Sequence, residues 1–387
     1  MKRKIMKRKI CVITGTRADY GILFPIMKAI ENAEGLKLFV VATGMHLMKE
    51  FGYTVKKIEE DGIKIYQKVD ISYSKDTGLA MVDSVGKAVC KLAKSFAKLK
   101  PDIVVVLGDR GEMLAAAIAA SYLDIPIAHL HGGEVSGHVD GVLRHAITKL
   151  AHIHFAATRG AQKRILRLGE ECWRVFLSGA PALDNILKGR LTERNKLVEK
   201  YGLLENHPLI LVAQHPVNIE ASDAARQMKI TLETVAQFRC QTMVLSPNAD
   251  AGGRSMLRVI DQFNRFPFIK FFANVAHRDY LSLMRYASVL VGNSSSGLIE
   301  APSLKLPMVN VGDRQVGRER GANVIDAPHE KKALVRAIKK ALYDKNLLAR
   351  VKRGKNPYGD GRASQRIIRV LSKINLDKEL LQKRMAY

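Results

Sequence analysis

Short runs of apolar β-formers alternate along this chain with stretches of helical periodicity, and the alternation halts once before starting afresh. In the first series Ile10–Thr14, Leu36–Thr43, Asp102–Leu107, Ile125–Leu130, His154–Ala157 and Val175–Ser178 read as strands. The clearest helix runs from Thr77 to Lys100, where Met81, Val82, Val85, Val89, Leu92, Ala93 and Phe96 recur at three- and four-residue spacing with lysines opposite. Strands that are apolar end to end are buried on both faces, and strands separated by helices are parallel. A second series follows: Leu209–Ala213, Thr242–Ser246, Phe268–Phe272, Ser288–Val291 and Pro307–Val311, with helical stretches such as Ala221–Arg239 and Arg278–Tyr286 between them. The prediction is an α/β chain of two similar domains, residues 1–182 and 183–362. The polar, helix-prone stretch Leu183–His207 lies near the join. The basic tail Ala363–Tyr387 reads as helical and is expected to pack back on the first domain. A chain of 387 residues can fill two such cores.

Charge is the unusual part of the composition. There are 63 lysines and arginines against 37 acids, a net charge of +26, which favours anionic partners. The basic residues are spread along the whole chain with little aromatic interleaving, so a nucleic-acid interface is not indicated. Cys11, Cys90, Cys172 and Cys240 are far apart, and Cys11 and Cys90 fall in apolar runs. No Cys/His spacing suggests a metal site or a disulfide framework, and a reducing cytoplasm is the expected compartment. The chain opens on a tandem MKRKI, so Met6 is an alternative start after a basic tail. The apolar run Ile10–Ile13 behind it is too short for a signal-peptide core or a membrane span.

Four motifs sit where these strands end, and ligands of open α/β sheets bind at that edge. Thr14-Gly-Thr-Arg-Ala-Asp-Tyr-Gly21 follows the first strand; a strand–helix turn presents backbone N–H groups to an anion, and Arg17 adds a bidentate contact. Asp19 is read both as a helix cap and as a substrate contact. Leu107-Gly-Asp-Arg-Gly111 and His129-Leu-His-Gly-Gly-Glu134 close two neighbouring strands and deliver Asp109, Arg110, His131 and Glu134 to one edge. Asp140 and Arg144, four apart, share one face of the next helix. A fold needs apolar residues in those strands but no acids at their ends, so Asp109, Glu134 and Asp140 are the expected acid/base groups, with Arg110 and His131 as substrate contacts. Ala213-Gln-His-Pro216 places His215 at the matching edge of the second domain. Val291-Gly-Asn-Ser-Ser-Ser-Gly-Leu-Ile-Glu300 lets amides and the hydroxyls of Ser294, Ser295 and Ser296 approach a phosphate, with Glu300 in reach of ribose hydroxyls. Arg314 and Arg318 follow in Gly312-Asp-Arg-Gln-Val-Gly-Arg318, and Asn248, past another strand, joins the substrate-binding set.

Taken together, Gly15-Thr-Arg-Ala-Asp-Tyr20, Gly108-Asp-Arg110, Gly132-Gly-Glu-Val-Ser136, Arg144-His-Ala-Ile-Thr-Lys-Leu-Ala-His152, Gln214-His-Pro216, Gly292-Asn-Ser-Ser295 and Arg314-Gln-Val-Gly-Arg318 resemble the UDP-N-acetylglucosamine 2-epimerase family, above all its hydrolysing branch in sialic-acid biosynthesis. The resemblance implies two Rossmann-like domains of the glycosyltransferase-B type with a nucleotide sugar between them, no cofactor, and a homodimer or homotetramer. It implies loss of UDP from C1 with removal of the C2 proton, then addition of water across the resulting glycal to give N-acetylmannosamine. Asp109, Glu134 and Asp140 match the family's proton-transfer acids. Arg17, Ser294 and Ser295 match diphosphate ligands, Glu300 matches the ribose ligand, and His215 and Arg144 match residues near the sugar and diphosphate. Ile22 stands where non-hydrolysing relatives carry lysine, and Gly141 where hydrolysing relatives often carry a second acid, which leaves the order of base and acid open. A UDP-linked 2,4-diacetamido-trideoxy sugar, epimerisation without release of UDP, and a non-enzymatic anion- or RNA-binding protein stand as the alternatives.

Overall fold

The computed structural model describes residues 7–49, 52–71, 78–135, 139–188, 191–247, 251–273 and 275–386. The chain divides into two compact units. One takes in the chain up to Val135, Val139–Asp184 and the stretch from Tyr358 onward, and the other takes in Asn185–Pro357.

The first unit is built on seven strands: β1 (Arg8–Thr14), β2 (Leu36–Thr43), β3 (Ile65–Val69), β4 (Ile103–Leu107), β5 (Ile127–Leu130), β6 (Ile153–Ala156) and β7 (Val175–Leu177). They are parallel throughout, in the order β3-β2-β1-β4-β5-β6-β7. The second unit repeats the plan with β8 (Leu209–Ala213), β9 (Gln241–Leu245), β10 (Ile269–Phe272), β11 (Val289–Gly292), β12 (Met308–Val311) and β13 (Val324–Ala327), in the order β10-β9-β8-β11-β12-β13. In each sheet the strand order reverses at one place, between β1 and β4 and between β8 and β11.

The central strands are apolar end to end because both faces are covered. Ile10, Val12, Ile103 and Val105 pack toward the helices Arg17–Glu31 and Ala363–Lys373. Their neighbours Cys11, Ile13, Val104 and Val106 pack toward Gly78–Leu99 and Gly111–Tyr122. The helix Ala363–Lys373 therefore belongs to the first unit, where Ile367 and Leu371 are fully buried. Asp184 fixes its start, accepting from the amides of Ala363 and Ser364 at 2.8 Å each.

Several elements differ from the sequence expectation. β3 and β13 were not expected; both are edge strands, half exposed, and their Gln67, Lys68 and Asp326 break the apolar run that marks a central strand. The tail is not one helix: it breaks after Lys373 and resumes only as Lys378–Leu381, capped by Asp377. The helix expected over Thr77–Lys100 spans Gly78–Leu99, but Met81 and Val82 are 54% and 67% exposed, since its packing on the sheet begins with Ser84 and Val85. Cys90 lies on the lysine-bearing, exposed side of that helix. The helix expected from Ala221 begins at Ala224, after a 3-10 turn.

Candidate active site

In the first unit the loops that leave β1, β4 and β5 flank the place where the strand order reverses, the position where open parallel sheets take ligands. The β1 loop is held by a reciprocal cap. Thr16 Oγ1 accepts from the Asp19 amide at 3.2 Å, and the Asp19 carboxylate accepts from the amides of Gly15 and Thr16 and from Thr14 Oγ1 at 2.5 Å. Asp19, expected among the substrate contacts, thus spends both oxygens on the loop itself. Burial pushes its carboxyl up to about 6 in spite of those donors. Arg17, next to it, is exposed at the helix start.

His46 supports the same loop from the turn after β2. Its Nε2 lies 3.0 Å from Thr14 Oγ1 and its Nδ1 2.7 Å from Thr54 Oγ1, and burial lowers it to about 4. Sequence reasoning missed His46, whose partners come from two separate segments, the β1 loop and Thr54. It also missed Glu112, buried under Gly15: a Cβ at that glycine would stand 2.2 Å from the Glu112 carboxylate. Glu112 accepts from Arg110 Nε at 2.8 Å, so Arg110 is tied to the same loop pair.

The sequence expected Arg144 to share a helix face with Asp140. The structure pairs the buried Arg144 guanidinium with the Asp109 carboxylate at the end of β4. Of Asp140 the structure describes the backbone alone, in the helix Val139–Leu150. His129, fully buried in β5, joins the two segments: its Nε2 donates to Gly108 O at 2.8 Å, and its Nδ1 lies 3.2 Å from Thr148 Oγ1 on the Arg144 helix. Burial lowers this imidazole to about 3, so it is neutral at any working pH. At the end of β5, Glu134 Oε1 accepts from His131 Nδ1 at 2.6 Å, and both residues are buried.

In the second unit the reversal lies between β8 and β11, and the two residues past β8 meet the turn past β11. Gly292, at φ 136°, passes so close to β8 that a Cβ would stand 2.2 Å from Ala213 O. Asn293 accepts from the His215 amide at 2.7 Å and donates to the His215 carbonyl at 2.9 Å. Its own carbonyl accepts from Gln315 Nε2 at 2.7 Å and Arg314 Nη1 at 3.2 Å. Asn293 therefore holds His215, Arg314 and the serine turn in one piece, a role its place inside the motif did not reveal. Burial, with Arg314 adding to it, lowers His215 to about 3. Ser294 Oγ and Ser296 Oγ lie 3.0 Å apart, and Tyr280 OH reaches Ser296 Oγ at 2.5 Å. Ser295 precedes the short helix Ser296–Ile299 without a side-chain capping bond, and the buried Glu300 stands at its junction with Ala301–Leu304 rather than within one longer helix. Asn248 lies outside the described residues.

The first unit thus offers carboxylates and imidazoles at one sheet edge, the chemistry of proton transfer. The second offers amides, hydroxyls and Arg314, the chemistry of anion binding. Among the described residues no group of three His, Cys, Asp or Glu side chains is arranged to hold a metal ion, and no helix is long and apolar enough to cross a membrane.

A family model described as UDP-N-acetylglucosamine 2-epimerase matches residues 28–372. The UDP-N,N'-diacetylbacillosamine 2-epimerase (hydrolyzing) of Legionella pneumophila is 37% identical over 382 residues, 99% of this chain and 100% of that protein. The UDP-N-acetylglucosamine 2-epimerase of Neisseria meningitidis serogroup B is 35% identical over 345 residues, 87% of this chain and 88% of that protein. Among solved structures, UDP-GlcNAc 2-epimerase from Neisseria meningitidis bound to UDP-GlcNAc superposes with a TM-score of 0.83 at 18% identity, over 95% of this chain and all of that one. The fold is accordingly of the glycosyltransferase-B type, and the chain belongs to the UDP-N-acetylglucosamine 2-epimerase family.

Proposed function

We propose that this protein is a hydrolysing 2-epimerase: it releases UDP from a UDP-linked 2-acetamido sugar and returns the sugar free, inverted at C2. The observation that carries this reading is the division of chemistry between two repeated sheets. Asp109 follows β4 at the β1/β4 reversal, the buried His131–Glu134 pair follows the neighbouring β5, and the Gly-Asn-Ser-Ser-Ser turn follows β11 at the β8/β11 reversal. In this reading UDP lies on the second unit. Ser294, Ser295, Ser296 and Arg314 take the diphosphate and Glu300 the ribose, and Arg17 is the anion contact that the first unit offers. Proton traffic at the sugar falls to Asp109, Asp140 and the His131–Glu134 pair, with Arg144 fixing Asp109. The neutral His215 belongs with the departing phosphate.

The relative that aligns over essentially the whole of both chains acts, by its name, on UDP-N,N'-diacetylbacillosamine. We therefore place that 2,4-diacetamido-trideoxy sugar nucleotide first. The Neisseria relative supports UDP-N-acetylglucosamine as the second reading. An NMR time course with each sugar nucleotide tests both. The expected products are UDP and a free 2-epimeric sugar, faster from the diacetamido substrate. A 2-epimeric UDP-sugar accumulating without free UDP would refute hydrolysis, and faster turnover of UDP-N-acetylglucosamine would reverse the order of substrates.

A further inference from the structure

We infer that His131, rather than Glu134, is the base that removes the C2 proton, with Glu134 orienting its ring; the inference rests on the epimerase reading above. The backbone gives the first reason. His131 has φ 59°, in the left-handed region. Among the described residues Lys100, Asp124, Arg239 and Lys305 are also left-handed, but each follows the end of a helix, where that conformation is ordinary, and Tyr53 and Asn206 lie in turn segments. His131 instead follows a strand. A side chain there strains the backbone, which glycine would not. Strain of this kind at a sheet's carboxyl edge gathers at sites of function.

The ring gives the second reason. A carboxylate only accepts, so the 2.6 Å contact with Glu134 Oε1 places the hydrogen on Nδ1. In the neutral imidazole Nε2 then presents its lone pair. That atom is buried and has no hydrogen-bond partner, a cost a fold does not ordinarily carry unless a ligand completes the bond.

The third reason is rigidity. The His131 amide donates to Phe155 O at 3.2 Å, and Gly133 O accepts from Arg164 Nε at 2.6 Å. A Cβ at Gly133 would stand 2.3 Å from Ala161 O, so the loop is pressed against the helix Arg159–Arg167 that follows β6. Register places Leu130 beside Leu107, and the Gly108 amide donates to Leu130 O at 2.9 Å. His131 therefore stands beside the β4 end that carries Asp109. An imidazole held through Nδ1 by a carboxylate, with Nε2 left for the substrate, is an oriented general base.

In the proposed step Nε2 takes the proton from C2. The C2–H electron pair becomes the C1=C2 bond, and the C1–O bond to the diphosphate breaks with its electrons leaving on UDP. The imidazolium then gives its proton to solvent. In the following step water supplies the hydroxyl at C1 and solvent-derived hydrogen enters at C2 from the other face.

Two variants test the assignment. His131→Gln can still donate to Glu134 but has no basic nitrogen; His131→Gly removes the ring and relaxes the backbone, which guards against misfolding. Measured are kcat and KM on the better sugar nucleotide, UDP affinity by calorimetry, and deuterium incorporation at C2 in D2O, each with and without added imidazole. Both variants are expected to lose at least a hundredfold in kcat and in deuterium incorporation with UDP affinity unchanged, and imidazole should restore His131→Gly at least tenfold. Either variant keeping kcat within tenfold of wild type, or a UDP-binding His131→Gly that does not respond to imidazole, would overturn it. Failure of the epimerase reading shows separately, in the wild-type protein, as no UDP released from either sugar nucleotide.

Discussion

Glu170 offers a measurement that isolates one buried charge. It lies at the amino-terminal edge of the first sheet, 1% exposed, and accepts from His154 Nε2 at 3.0 Å, Lys149 Nζ at 2.6 Å and Lys383 Nζ at 2.7 Å. Burial alone would raise its carboxyl, but these three donors outweigh it and hold the group at about 2, against an ordinary 4.5. Lys383, lowered by burial to about 8, remains largely charged at neutral pH. A depression of that size corresponds to about 3 kcal/mol of stability. Because the folded value lies below the unfolded one, that stability is present above about 4.5 and drains away as pH falls toward 2. Glu170→Gln keeps the shape and removes the charge. Urea unfolding read by Trp173, the single tryptophan, which stacks on Arg174 in the same unit, reports the local transition. Wild type should exceed the variant by about 3 kcal/mol at pH 7, with the difference constant to pH 5 and narrowing below it. A difference under about 1 kcal/mol at pH 7, or one that widens as pH falls, would refute the argument.

Other expectations follow from the site. Asp109→Asn, Glu134→Gln and Asp140→Asn should each cut turnover by about a hundredfold or more with the fold retained; near-wild-type turnover in all three would remove the acid/base assignment. Ser294→Ala and Arg17→Ala should weaken UDP binding by about 1–3 kcal/mol while slowing bound substrate less, and unchanged calorimetric affinity in both would count against the diphosphate assignment. Gly292→Ala places a Cβ 2.2 Å from Ala213 O at φ 136°, so it should lower the melting temperature and UDP affinity together; a variant that melts and binds like wild type would show that the β8–β11 approach relaxes freely.

The central strands were legible because a strand covered on both faces must be apolar along its length, and Leu36–Thr43 and Leu209–Ala213 fall where the pattern places them. The edge strands β3 and β13 were not, because one open side tolerates lysine, glutamine and aspartate. The chemistry-bearing residues at strand ends were legible for a related reason: Asp109, His131, Glu134 and His215 interrupt runs that packing alone would continue. What stayed hidden was the support beneath them. His46, Glu112 and His129 act through partners supplied by other segments, so no local spacing marks them. Arg144 shows the same limit, since helical spacing points to Asp140 while the pairing structure shows is with Asp109 across strands.

The first unit contains two buried histidine–glutamate pairs, and comparing them separates a structural pair from a reactive one. His154 and Glu170 meet at 3.0 Å, but His154 lies inside β6 with strands on both sides, and two lysines as well as the imidazole hold the carboxylate. Protonating that imidazole would add a further cation beside Lys383 and Arg174, and burial together with those cations holds it below its ordinary value. The pair is built to keep one charge state. His131 and Glu134 meet at 2.6 Å beyond the last residue of β5, on a loop whose glycines and strained backbone set the ring rather than bury it in the sheet. Glu134 pairs with that imidazole at the open end of the strand. A carboxylate that must share an imidazole with two ammonium groups stabilises the fold, whereas one that orients an imidazole at the open end of a strand stabilises the imidazolium formed when that ring accepts a proton. In the proposed mechanism the same two side chains therefore serve stability at one edge of the sheet and proton transfer at the other, and the difference lies in the backbone that carries them.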